Sequence, residues 1–164
     1  MTVQLSQKER TLLQDQVKHE EICIQKYNDY ACQAQDPQLK QLFQSYAQEE
    51  QQHKDSLNQM LSGSLPRLSG SQSQSNQQAF SQSMAPLQSN TMEIGQMEAP
   101  MSSPRDAEVC KDMLMTEKFI SGSYDNTIFQ FCDSNVRQVL THIQKEEQQH
   151  GEGISQYMKQ RGLS

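Results

Sequence analysis

A glutamate and a histidine three positions apart share one face of a helix, and this chain sets that pair down twice. The stretch Glu49-Glu50-Gln51-Gln52-His53 returns letter for letter as Glu146-Glu147-Gln148-Gln149-His150, 97 positions later. Without a gap, the same offset lays Asp15 on Asp112, Glu20 on Glu117, Tyr27 on Tyr124, Gln33 on Gln130 and Asp36 on Asp133. The chain therefore reads as two copies of one helical hairpin. Each copy carries a lone Glu on its first helix and Glu-x-x-His on its second. Two Glu plus two Glu-x-x-His units is the ligand set of a bundle that holds a di-iron or di-manganese centre.

Six residues are the candidate ligands: Glu20, Glu50, His53, Glu117, Glu147 and His150. Carboxylate oxygens joined by imidazole suit iron(II) or manganese better than magnesium or calcium, so the implied cofactor is two transition-metal ions, Fe or Mn. Four ionised carboxylates would balance the charge of two divalent ions. Glu50 and Glu147, each sharing a helix with a histidine, are the natural bridging pair, which leaves Glu20 and Glu117 as terminal ligands. Tyr27 and Tyr124 each follow their glutamate by two helical turns on the same face. Their hydroxyls are placed to hydrogen-bond a ligand across the bundle; a purely packing role is the alternative. Asp15, Asp112, Glu49, Glu146, His19 and His142 are expected on the surface. Without metal, an acidic residue in the apolar stripe of all four helices costs several kcal/mol per ion.

The elements that must position these groups are legible from caps and periodicity. Ser6-x-x-Glu9 has the form of a capping box, and a first helix runs from there to about Ala34. Its apolar residues Leu13, Val17, Ile24, Tyr27, Ala31 and Ala34 recur at helical spacing, with Glu20 filling the gap. Asp36-Pro37 reads as an N-cap followed by proline at the first helical position, so the second helix returns antiparallel to the first. Its stripe is Leu39, Leu42, Phe43, Tyr46, Leu57, Met60 and Leu61, interrupted by Glu50 and His53. Ser103-Pro104 opens a third helix, with Val109, Met113, Leu114, Ile120, Tyr124, Ile128 and Phe131 around Glu117. Gly122 inside it calls for either a close helix approach or simple tolerance. Asp133 caps a fourth helix, with Val136, Val139, Leu140, Ile143, Ile154, Tyr157 and Met158 flanking Glu147 and His150.

Only 34% of the residues are hydrophobic, and the deficit falls in the middle of the chain. Residues 62–104 are rich in Ser, Gln, Met and Pro without sustained periodicity, which calls for a flexible connector between hairpins at 5–61 and 105–161. Residues 5–161 would then form one bundle. A connector of that length has a root-mean-square span of roughly 35 Å, comparable to a helix of about 25 residues, so it can make a long crossover. It is also long enough to let hairpins exchange between two copies, which allows a swapped homodimer. The fold class expected is all-α: a four-helix bundle of two repeated antiparallel hairpins with one crossover.

A formal net charge of −6 argues against a nucleic-acid partner. No apolar run approaches the roughly 20 residues needed to span a bilayer, so no membrane role is expected. The opening MTVQLSQKERTLL lacks the charged-then-apolar pattern of a signal peptide, which points to synthesis inside the cell. Cys23, Cys32, Cys110 and Cys132 have no zinc-like spacing and are expected to act as small core hydrophobes.

Two segments carry a resemblance. LLQDQVKHEEICIQKYNDYACQAQDPQLKQLFQSYAQEEQQH and CKDMLMTEKFISGSYDNTIFQFCDSNVRQVLTHIQKEEQQHGEGISQYM resemble the Coat F family of spore coat proteins. The second is the more specific, above all in DMLMTEKF and HIQKEEQQH. The resemblance implies a ferritin-like fold, synthesis in the mother cell, deposition in the spore coat and other coat proteins as partners. It does not imply an activity. Two functions are therefore expected from different classes: a structural coat protein with a metal-stabilised bundle, or a di-metal oxidoreductase. The latter would be a peroxidase, a manganese catalase or an iron oxidase.

Overall fold

The computed structural model describes residues 2–67 and 103–163. Four helices account for nearly all of them: α1 (Gln7–Gln33), α2 (Pro37–Leu61), α3 (Pro104–Ile128) and α4 (Ser134–Arg161). Every start carries the cap that the sequence supplies. The Ser6 side chain accepts from Glu9 N at 3.3 Å and the Glu9 carboxylate accepts from Ser6 N at 2.9 Å, closing the capping box. Asp36 accepts from Gln38 N at 2.8 Å, Ser103 from Arg105 N at 3.0 Å and Asp133 from Asn135 N at 2.7 Å. Pro37 and Pro104 occupy first-turn positions where a missing N–H costs nothing. α4 stops on Gly162, whose φ of +65° lies in the left-handed region that a glycine enters without strain.

Contacts at the helix ends fix the topology. The α1–α2 turn meets the start of α3, where Asp106 accepts from Gln35 N and Asp36 N at 2.9 and 3.1 Å. The end of α4 reaches the same turn through Tyr157, which donates to Asp36 at 2.7 Å, and Arg161, which pairs with Asp36 at 2.9 Å. At the opposite end Arg10 donates to the Leu61 carbonyl at 2.9 Å, and Cys132 N donates to Glu9. α1 therefore packs antiparallel on α2 and on α3, and α4 antiparallel on α3 and on α2. α2 ends and α3 begins at opposite ends of the bundle, so the link between the hairpins is a crossover. Residues 68–102, most of the expected flexible connector, lie outside the described residues.

The core follows the stripes, with two corrections on α1 and with Ala34, Leu42, Tyr46, Leu61, Leu114 and Ile128 only partly buried at the edges. Its buried face is Leu13, Gln16, Glu20, Cys23, Tyr27 and Ala31, while Val17 and Ile24 are only partly buried at its flank. Gln16 can take a core position because its amide donates to Ser123 and Thr127 hydroxyls on α3, at 2.7 and 2.8 Å. The cysteines divide: Cys23 and Cys110 are buried, but Cys32 and Cys132 are exposed and so are not core hydrophobes. Among the described residues no helix is long and apolar enough to cross a membrane.

Gly122 is resolved in favour of tolerance. A Cβ added there would meet nothing within 4 Å. Gly122→Ala should therefore stabilise the protein by about 0.5–1 kcal/mol, the helical penalty of glycine, with no packing cost. Thermal and urea denaturation of the two forms check this; a destabilised alanine variant would mean the site is tighter than it is here.

Candidate metal centre

All six expected ligands meet at mid-bundle. Helical geometry brings them there, because each occupies a step of three or four in a buried stripe: Ala47-Glu50-His53-Leu57 on α2, and Ile143-Glu147-His150-Ile154 on α4. Glu20 and Glu117 hold the matching level of α1 and α3. None of the six exposes more than 3% of its surface. They form two overlapping groups whose ligand atoms lie within 4.8 Å of one another: Glu20, Glu50, His53 and Glu147, and Glu50, Glu117, Glu147 and His150. Glu50 and Glu147 belong to both groups, the arrangement a bridging pair requires.

The contacts repeat under the 97-residue offset and run between the hairpins. His53 Nδ1 lies 3.0 Å from Glu147 Oε1, and His150 Nδ1 lies 3.1 Å from Glu50 Oε1. The Tyr27 hydroxyl donates to Glu117 and the Tyr124 hydroxyl to Glu20, each crossing from one hairpin to the other.

Glu49 and Glu146 are partly exposed, as expected, but each also reaches a histidine of the cluster. His53 Nε2 sits 2.9 Å from Glu146 Oε2, and His150 Nε2 sits 3.0 Å from Glu49 Oε2. A carboxylate on Nε2 fixes the ring with Nδ1 facing inward and raises its basicity. Both residues were in the repeated pentapeptide, but their partners are on the opposite helix, which spacing within one helix cannot reveal. His142 stands beside Glu146 at 3.4 Å and is half-exposed, and His19 is half-buried against Phe119. Asp15 pairs with Lys18 on the surface. Asp112 does more than expected: it ties α3 to α1 through Lys26 at 2.7 Å and Tyr30 at 2.6 Å.

Residues 105–164 match the family model of the Coat F domain, so the more specific half of the resemblance is borne out. The crystal structure of a two-domain protein with DJ-1/ThiJ/PfpI-like and ferritin-like domains from Anabaena variabilis is similar over 95% of this chain, with a TM-score of 0.66 and 15% identity. The chain spans 37% of that protein's length. The bundle is thus a ferritin-like fold. No curated protein matches the chain.

The electrostatics make the cluster expensive without cations. Burial, then the charges of Glu147 and Glu50, push the Glu20 carboxyl well above its usual range. Burial and the Glu50 charge do the same to Glu147. Burial opposes charge on Glu50 too, but hydrogen bonds from His150 and His53 hold it below the usual range. Burial would lower both imidazoles, yet their carboxylate partners raise His53 and His150 well above the ordinary value. Glu20 Oε2, Glu117 Oε2 and Glu147 Oε2 are buried with no hydrogen-bond donor. Unpaired carboxylate oxygens grouped with two inward-facing imidazole nitrogens fit a pair of divalent transition-metal ions. Cys23, beside them, is a poor extra ligand, since burial and the carboxylates push its thiol far up and keep it protonated.

The raised Glu20 carboxyl sets a pH dependence for the metal-free protein. Its folded value lies above the unfolded one, so the fold is penalised progressively as pH rises past the unfolded value. Glu20→Gln removes that penalty and keeps an acceptor for Tyr124. Metal-free Glu20→Gln should be about 1–3 kcal/mol more stable than the parent at pH 8, with the gain vanishing near pH 4. Denaturant unfolding at the two pH values measures it.

Proposed function

We propose that this chain is a spore coat protein of the Coat F type whose ferritin-like bundle holds two transition-metal ions, iron or manganese. The Coat F domain over residues 105–164 supports the coat assignment. With it come deposition in the spore coat after synthesis in the mother cell, and other coat proteins as partners. The observation that carries the metal assignment is the pair of buried four-residue groups sharing Glu50 and Glu147.

Glu20, Glu50, His53 and Glu147 would hold one ion, and Glu50, Glu117, Glu147 and His150 the other. Two such ions, when bound, supply one-electron steps against dioxygen or peroxide. The chain's own groups do the rest. Tyr124 and Tyr27 hold the Glu20 and Glu117 carboxylates in place from the opposite hairpin. Glu146 and Glu49 accept from the imidazole Nε2–H groups, so that both Nδ1 lone pairs face the cluster. The full burial of all four glutamates excludes bulk water and strengthens every one of these interactions.

Metal analysis of protein expressed with iron and, separately, with manganese tests this. About two ions per chain should be found, and Glu50→Ala/Glu147→Ala should lose them together with the metal-dependent part of the melting temperature. Substoichiometric metal indifferent to the double substitution would end the metal assignment and leave the coat role alone.

A second reading, a di-metal oxidoreductase of the peroxidase, manganese catalase or iron oxidase kind, is favoured by one observation: both groups retain a full set of donors. It predicts consumption of peroxide or dioxygen by the metal-loaded protein, abolished in the same double variant. Loaded protein that consumes neither would leave the bound metal a structural part of the coat.

A further inference from the structure

The two halves of the centre differ in what lies against their histidines. The Tyr46 ring lies on His150, with centroids 4.3 Å apart and planes at 31°. Tyr27 closes on the same imidazole edge-on at 6.2 Å, and packs in turn against Phe43 and Tyr46 at 5.4 and 5.6 Å. Under the repeat, the equivalents of Phe43 and Tyr46 are Leu140 and Ile143. Among the described residues, His53 has one ring contact, with His150 at 5.8 Å.

A second departure from the repeat accompanies the first. Gly153 stands where the other hairpin has Ser56, and any Cβ there would collide with the Tyr46 hydroxyl. A glycine inside a helix costs about 1 kcal/mol relative to alanine. Unlike Gly122, this one has a packing reason: it makes the space into which Tyr46 extends over His150.

An imidazole that binds a divalent cation through Nδ1 becomes partly cationic, and an electron-rich ring face favours that form. The same ring, with Glu49 on Nε2, restricts rotation of His150 before the ion arrives, so less freedom is lost on binding. His53 has the matching carboxylate in Glu146 but no such ring.

We infer that the two positions have unequal affinity: the one containing Glu117 and His150 fills first, and Tyr46, seated over Gly153, is the positioning residue that makes it so. This rests on the metal-binding reading above. The experiment is calorimetric titration of manganese(II) into metal-free full-length protein. The parent should show two resolved steps totalling two ions, with affinities separated by roughly tenfold or more, the scale of an outer-shell partner.

Tyr46→Phe keeps the ring and should keep the separation. Tyr46→Ile, which copies the other hairpin, should merge the steps while the total stays at two. Gly153→Ser moves the ring without removing it and should also merge them, which secures the test should Tyr46→Ile fail to fold. His150→Ala should abolish the tight step, whereas His53→Ala should spare it. Equal steps in the parent, a separation that survives both Tyr46→Ile and Gly153→Ser, or a tight step that survives His150→Ala would each overturn the inference while leaving two-metal binding intact. A parent that takes up no manganese would overturn the metal-binding reading, and this inference with it.

Discussion

Four carboxylates buried in the centre of an apolar bundle form the constraint from which the rest of this structure follows. Their mutual repulsion in a low-dielectric interior favours positive charge among them, and it raises the Glu20 and Glu147 carboxyls. The chain meets this in part with its own groups. Two histidines, raised by their carboxylate partners, face the cluster, and two tyrosine hydroxyls each donate to a glutamate. Those groups do not finish the task, since one oxygen on each of Glu20, Glu117 and Glu147 is left without a donor. Such an arrangement could accept cations of higher charge than a proton.

The same constraint explains why neither hairpin suffices. Glu50 is contacted by His150, Glu147 by His53, Glu20 by Tyr124 and Glu117 by Tyr27. Apart from the His53–Glu50 contact within α2, these groups find their partners on the other hairpin, so a lone hairpin would leave buried polar groups unpaired along its apolar face. The site is complete only where the two hairpins pack together. The exchange of hairpins between two copies would conserve every one of these bonds, because each is already made between hairpins.

Much of this was legible in the sequence, and the reason is geometric. The helical period alone forces Glu50, His53, Glu147 and His150 into the stripe of Leu57 and Ile154, and the capping residues Ser6, Asp36, Ser103 and Asp133 mark each start. What the sequence hid lay in contacts between helices. Glu49 and Glu146 lie off the apolar stripe and read as surface residues, yet each reaches round to the histidine of the opposite helix. Gln16 and Cys23 displaced Val17 and Ile24 from the centre of the α1 face. A polar residue can win a core position when α3 offers hydroxyls to it, and one-dimensional periodicity carries no record of that offer.

Duplication by itself predicts two equal halves, and the ligands obey that prediction. Their surroundings do not. Phe43 and Tyr46 against Leu140 and Ile143, and Gly153 against Ser56, are changes outside the ligand set that fall on the same side of the site. Tyr46 and Gly153 are moreover coupled, because the tyrosine hydroxyl fits only where the facing helix carries no Cβ. An internal repeat supplies its own comparison: the six Glu and His positions mark what the two halves share, and the paired Tyr46 and Gly153 mark where they differ.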